Sequence, residues 1–421
     1  MQKDTYAFWK KLSHEQITER VNAALAENQD FLHSDLLGVP ASHLDPKVFP
    51  NDAPFLSNAP FLNTLLKNPN HIGCHTLGDS ESFFSGTQKI ERELIDICAT
   101  DILKAKPKSC DGYVAAGGTE ANIQAVWAYR NYFKNTHGAV NSEICIITSS
   151  DAHYSMAKAA DLLNIDIFHV PVDENDRTIQ PQSIRKTVVE AKSSGKKCFV
   201  VVCNMMTTMF GSVDSPNDYV EILKELDVDF KMHVDGAYGG FLYPFTDVNS
   251  VLNFENPHVS SITLDAHKLV QAPYGTGVLV MRKGLIENVY TKSAEYVKGL
   301  DVTLAGSRSG ANAIAVWMIL TTYGPNGWNE KNQELLKRTS WFCKELDALN
   351  MNYYRNPFSN IVTIRSAEIS SETAHKFGLV PDVHGDNPNW YKVVIMDHVT
   401  VEKLTKLLKA TVEQESLSEF D

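Results

Sequence analysis

Ser13 followed by Gln16, with Ile17, Val21 and Leu25 recurring at helical spacing, predicts an amphipathic N-terminal helix opened by a capping box. Residues 39–70 are rich in Pro and Asn without clear periodicity, so they read as an extended arm laid over something else, such as a partner subunit. From about Gly86 the pattern alternates. A helix is predicted over 89–103, then the pair Gly117-Gly118, then a helix over 119–133. Short apolar runs at 143–148, 167–170, 199–203, 231–234, 261–264 and 277–281 fit buried strands separated mostly by helical segments. Such alternation predicts a mainly parallel sheet covered on both faces. Beyond Asn312 come an apolar helix towards Tyr323, a helix over 333–349 and a strand over 361–364. A strand over 391–396 and a Thr400-capped helix carrying Leu404, Leu407, Leu408 and Val412 close the chain.

A chain of 421 residues exceeds the size at which one core usually stops growing. We expect an N-terminal helix and arm (1–70), a large domain (71–310) and a small α+β C-terminal domain (311–421). Apolar residues at 43% and charged residues at 21% describe an ordinary globular protein. A formal charge of −12 without a basic stripe argues against nucleic acid. The seven cysteines are scattered with no C-x-x-C pair, which suggests reduced core residues and neither a disulfide framework nor a metal site. Without an apolar leader or a run long enough to span a bilayer, the expected location is the cytoplasm.

Three segments carry chemistry. In SITLDAHKLVQAPYGTG, Lys268 follows a strand, at the edge where open α/β sheets place ligands. In HVDGAYGG, Asp235 ends a buried strand beside Gly236 and Ala237, leaving a surface flat enough for a ring. In AAGGTEAN, two glycines and Thr119 open a helix whose N-terminal N–H groups suit a phosphate. Each has an ordinary structural explanation taken singly; their order and spacing do not.

Together with HTLGDSESFFSGTQKIERELI, AHYSMAKAA, TTMFGSVD and LAGSRSGANAIAVW, these motifs resemble the group II pyridoxal-phosphate-dependent decarboxylases of fold type I. The likeness is strongest to the short archaeal-type tyrosine/aspartate decarboxylases and more distant to sphingosine-phosphate lyases. It implies a mainly parallel seven-stranded sheet sandwiched by helices, pyridoxal 5'-phosphate as cofactor, and decarboxylation of an L-amino acid. Carried over residue by residue, Lys268 would bind the cofactor as a Schiff base and Asp235 would meet its pyridine nitrogen. His153 would stack on the ring opposite Ala237, while Gly118, Thr119 and His267 would hold the phosphate. Thr208 would line the pocket, although Met206 stands where the family commonly has glycine. Tyr296 would protonate Cα from a loop, with Tyr290 as rival. Ser307 would reach a neighbouring subunit's phosphate, implying a homodimer with shared sites. His75 and Phe83 or Phe84 could face substrate.

Two other readings stay open. A carbon–carbon lyase or an oxygen-using, aldehyde-forming decarboxylase would use the same cofactor. A nicotinamide-dependent dehydrogenase is disfavoured because neither glycine-rich turn reads as G-x-G-x-x-G between a strand and a helix. The substrate amino acid is not fixed by these motifs.

Overall fold

The computed structural model describes residues 6–30, 43–78, 81–385 and 387–418. Helix α1 (His14–Glu27) starts at the expected capping box: Ser13 Oγ accepts from the Gln16 N–H, and the Gln16 side chain accepts from the Ser13 N–H at 2.9 Å. The arm is less extended than its composition predicts. A 3₁₀ turn over Pro54–Asn58 leads into α2 (Pro60–Lys67), and each opens on a proline, which suits a first helical turn. Residues 39–42 of the predicted arm lie outside the described residues. Helix α3 (Ser85–Asp96) runs on into a π-helical stretch, Ile97–Ile102.

The central sheet has seven strands: β1 (Cys110–Ala115), β2 (Ile144–Ser149), β3 (Asp166–Val170), β4 (Cys198–Asn204), β5 (Asp229–Gly236), β6 (Val259–Asp265) and β7 (Gly277–Arg282). Their order is β1-β7-β6-β5-β4-β2-β3; β7 is antiparallel to both neighbours and the other pairings are parallel. Every residue of β2 and β4 is buried, as the unbroken apolar runs ICII and FVVVC demand of strands covered on both faces. The strand β1 is missing from the sequence reading because CDGYVA interrupts its apolar run with Asp111 and Gly112. Both are buried, and burial raises the Asp111 carboxyl to about 6.

The covering helices are α4 (Gly118–His137), α5 (Ser155–Leu163), α6 (Pro181–Ser193), α7 (Pro216–Glu225) and the short α8 (Tyr243–Thr246). Helix α9 (Gly310–Ala348) runs past the sheet and is interrupted at Gly324. A second, antiparallel sheet contains β8 (Tyr353–Tyr354), β9 (Ile361–Arg365), β10 (Val380–Pro381) and β11 (Trp390–Val394) in the order β10-β11-β9-β8. With α10 (Ser371–Lys376) and α11 (Val401–Ser418) it encloses its own apolar cluster, including Phe342, Leu346, Val362, Ile364, Leu404 and Leu407.

Because β7 is antiparallel to its neighbours, β1, β2, β4, β5 and β6 all end on the same edge of the large sheet. The chemistry-bearing loops after β1, β5 and β6 gather there, at the ligand-binding edge of an open α/β sheet.

Candidate active site

The turn between β1 and α4 sits at a Gly117 φ of +147°, a conformation L side chains rarely adopt. Beside it, a Cβ on Gly118 would stand 2.9 Å from Ala237 Cβ and 3.0 Å from Asp265 Oδ2, so glycine keeps the space above Ala237 clear. The N-cap residue of α4, Gly117, has no side chain to cap it, and the Gly118 N–H donates instead to Asp265 Oδ2 at 3.2 Å. These residues line a cavity of about 490 Å³ together with Thr119, His153, His267 and Lys268.

Lys268 Nζ lies 3.6 Å from Asp265 Oδ2. Burial raises the Asp265 carboxyl, an effect opposed first by Lys268 and then by His267. Asp265 Oδ1 and His267 Nδ1 are 2.8 Å apart but not aligned as a hydrogen bond, so both retain unused bonding capacity at the cavity wall. Burial lowers the His267 imidazole despite Asp265. His153 is also pushed down by burial; the Asp235 charge opposes this and Lys268 adds to it, which places the imidazole in the field of both groups. Its ring lies 3.9 Å from that of Tyr154, centroid to centroid. Asp235, at the end of β5, accepts from Asn122 Nδ2 at 2.9 Å on Oδ2 and from the Ala237 N–H at 3.1 Å on Oδ1. One cavity edge therefore brings together an amine, a carboxylate held by two donors, an imidazole, an alanine floor and a glycine-opened helix N-terminus.

Residues 89–353 match the pyridoxal-dependent decarboxylase conserved domain. The chain belongs to the pyridoxal-dependent decarboxylase family. It is 50% identical over 401 residues to a tryptophan decarboxylase of Clostridium sporogenes, covering 95% of this chain and 96% of that one. A probable L-tyrosine/L-aspartate decarboxylase of Methanocella arvoryzae is 30% identical over 83% of this chain and 92% of its own length. The solved sphingosine-1-phosphate lyase of Burkholderia pseudomallei shares the fold, with a TM-score of 0.67 at 21% identity over 80% of each chain. The reaction is decarboxylation of an amino acid and the cofactor is pyridoxal phosphate. The residues present fit that group: the floor above Ala237 is clear, and the unpaired His267 Nδ1 and the side chain of Thr119 adjoin the α4 N-terminus.

Of the residues expected in the decarboxylase site, Gly118, Thr119, His153, Ala237, His267 and Lys268 line the cavity, and Asp235 joins it through Asn122 and the Ala237 N–H. Three expected residues are not on this chain's cavity wall. Thr208 is exposed, and its carbonyl accepts from Lys392 Nζ at 3.0 Å. Tyr296 is 90% exposed, and Ser307 accepts from Asn70 Nδ2 at 3.1 Å. Tyr290 is 41% exposed. Four further contributors, Asn122, Ser155, His233 and Asp265, lie inside the motifs AAGGTEAN, AHYSMAKAA, HVDGAYGG and DAHK, but spacing alone gives no direction to their side chains. Lys392, from β11, carried no motif. Burial lowers its ammonium, and the nearby Lys268 charge adds to the effect.

His75 and Phe84 are buried rather than facing the cavity, and Phe83 is part-buried. His75 Nε2 lies 3.3 Å from both Glu91 Oε2 and the Arg308 guanidinium, and His71 Nδ1 lies 2.6 Å from Glu91 Oε2. One ligand atom each from His71, His75 and Glu91 falls within 4.8 Å of the others. Arg308 pairs with the same carboxylate at 2.5 Å and already supplies the positive charge that a metal would bring to this donor set.

Proposed function

We propose that the decarboxylase acts on an aromatic L-amino acid, tryptophan foremost, releasing carbon dioxide and the corresponding amine. The charge of the cavity wall carries this assignment. Among the described residues lining it, Lys268 is the one lysine or arginine, while Asp265 and Glu120 add carboxylates; Lys392, behind the lining, gives its ammonium to the Thr208 carbonyl. A substrate side chain bearing its own carboxylate would lose hydration there without gaining a free cation. Ile123, Tyr154 and Leu304 offer apolar and aromatic surface instead. The tryptophan decarboxylase relative supports the same choice.

In this reading Lys268 would hold the cofactor covalently through Nζ. Asp235 would meet the pyridine nitrogen, and a carboxylate held by two donors is suited to keep that nitrogen protonated. His153 would cover one ring face while Ala237 floors the other. Gly118, Thr119 and His267 would take the phosphate, with α4 contributing its first-turn N–H groups. When bound, pyridoxal phosphate supplies the sink for the electron pair of the Cα–carboxylate bond. The protein residues fix which bond stands perpendicular to the ring and keep water from the reacting carbon.

A homodimer with shared sites belongs to the same proposal. Exposed Tyr296, Tyr274, Leu300 and Leu304 are its support, because a second copy would cover this apolar surface. Tyr296 would then deliver the proton to Cα, and Ser307 and Thr208 would act around a site completed by the partner. A separate C-terminal domain is supported by the apolar cluster of the small sheet, which begins at Phe342, whereas Ile17 and Val21 of α1 and Ile314, Leu320 and Leu335 of α9 pack into the core of the large sheet. A cytoplasmic location is supported by seven buried, unpaired cysteines. Among the described residues, no helix is long and apolar enough to cross a membrane.

The test is product analysis with single L-amino acids and added pyridoxal phosphate. Tryptophan should give tryptamine and carbon dioxide in equal amounts, and Lys268→Ala should abolish turnover together with the visible absorbance of the bound cofactor. Faster release from aspartate, or formation of an aldehyde or peroxide, would overturn the assignment.

A further inference from the structure

Below the cavity floor, five side chains from α4, β5 and β6 form one buried hydrogen-bonded chain. Tyr129 donates its hydroxyl to Ser261 Oγ. Ser261 Oγ is 2.7 Å from His233 Nδ1, and His233 Nε2 is 2.9 Å from Asn122 Oδ1. Asn122 Nδ2 donates to Asp235 Oδ2 at 2.9 Å and to Ser155 Oγ at 3.0 Å. Ser155 Oγ in turn stands 3.0 Å from His153 Nδ1, which also accepts from the Ser155 N–H at 3.2 Å. Asn122 and His233 are 1% and 0% exposed, so water does not compete for these bonds.

The chemistry of the groups fixes the direction of each bond. An ionised carboxylate only accepts, so Asn122 presents its amide nitrogen to Asp235 and its oxygen to His233. His233 Nε2 must then carry the hydrogen, which leaves Nδ1 bare to accept from Ser261. Both Asn122 hydrogens are used, the second on Ser155, whose own hydroxyl hydrogen is free for His153 Nδ1. One asparagine thus joins the two histidines to the carboxylate, and reversing any bond sets two donors or two acceptors face to face. A buried unsatisfied group of that kind is costly.

We propose that Asn122, oriented by His233, is a positioning residue of the decarboxylase: it holds Asp235 as an acceptor-only carboxylate and locks His233 and His153 as neutral Nε2–H tautomers. The inference rests on Asp235 being the partner of the pyridine nitrogen. Asp235 on β5 and Tyr129 on α4 are the titratable groups facing His233; the neighbours from β6, Ser261 and Thr263, are neutral. Burial drives the His233 imidazole down to about 4 against the Asp235 charge, which favours its neutral form near neutral pH.

The first experiment needs no variant of the junction. In cofactor-free, ¹⁵N-histidine-labelled protein, the His233 signals, identified by their loss in His233→Gln, should show the Nε2–H tautomer without titrating between about pH 6 and pH 8. Titration in that range, or the Nδ1–H tautomer, would overturn the inference. In the second, Asn122→Leu and His233→Leu should each weaken pyridoxal phosphate binding by roughly 10-fold or more and move the acid limb of kcat/KM to higher pH, because Asp235 loses a donor. His233→Gln, whose amide can donate to Asn122 Oδ1, should restore both. Wild-type affinity and acid limb in Asn122→Leu would count against the proposal. If that variant does not fold, the His233 pair and the wild-type spectrum decide. Should Asp235→Asn bind the cofactor as tightly as wild type, the pyridine assignment fails, whereas the tautomers of the cofactor-free protein are read independently of it.

Discussion

Met206 lies at φ +67°, in the left-handed region, with its side chain buried against the core. That conformation costs roughly 1–2 kcal/mol for a side-chain-bearing residue, while burying a methionine returns roughly 1.5–3 kcal/mol. Packing therefore outweighs strain, which explains how a methionine is held in a conformation that favours glycine. Met206→Gly should lower stability by about 1 kcal/mol, the difference between the two effects, read as an earlier urea midpoint with unchanged slope. A later midpoint would show that strain dominates. At this scale the candidate site was legible only through the order and spacing of its motifs. Lys268, Asp235 and His153 could be named from their motifs, but that Asn122 touches both Asp235 and Ser155 could not, because those contacts join α4, β5 and the start of α5.

Helix α9 shows what element-level pattern captures and loses. Two apolar stretches were expected, and the structure joins them end to end across Gly324, at φ 61° and ψ 174°, with Pro325 starting the second stretch. The N-terminal segment seals the break: the Leu12 N–H donates to the Thr321 carbonyl at 2.8 Å, and Trp9 Nε1 donates to the Leu320 carbonyl at 2.7 Å. A Cβ at Gly324 would stand 2.6 Å from Lys11 Cβ and 2.9 Å from Lys11 Cα. Gly324→Ala should thus cost about 2–3 kcal/mol through backbone conformation, with the clash in addition. Thermal unfolding measures this, and loss of protection at the Leu12 amide in hydrogen exchange would localise it. The arm was misread for a related reason. Proline clusters mark breaks in a pattern, yet Pro54 and Pro60 each occupy a first-turn position where the missing N–H costs nothing.

At the scale of the whole molecule, Arg308 ties the segment carrying His71, Gly73 and His75 to α3 and β1. It pairs with Glu91 and donates to the Val114 carbonyl at 3.0 Å and the Gly73 carbonyl at 2.5 Å. Although burial would raise the Glu91 carboxyl, Arg308 and the two histidines hold it well below its usual range, and burial pushes His75 down to about 4. Both folded pKa values are depressed, so the stability they contribute is present above the unfolded values and is lost as pH falls, from about 6.5 to about 4 for His75 and below about 4.5 for Glu91. Asp214, raised by burial from 3.8 to about 7, acts in the opposite sense across the whole of the His75 window. Glu91→Gln should flatten the acid limb of the stability profile below about pH 4.5. Arg308→Leu should destabilise by about 3–5 kcal/mol near neutral pH by leaving the buried Glu91 charge without its arginine partner. Parallel acid titrations of the melting temperature would contradict this if the Glu91→Gln limb kept the wild-type slope. What the sequence determined by itself was local and periodic: buried strands from apolar runs, helix starts from caps, and the amine, carboxylate and glycine turn from motifs whose residue types have few substitutes. What only the tertiary structure decided was direction and company. Strand order, the break at Gly324, the Arg308 hub and the chain from Tyr129 to Asp235 join residues far apart in sequence, and such contacts are set by packing and by pairing of buried polar groups, which leave no period in the chain.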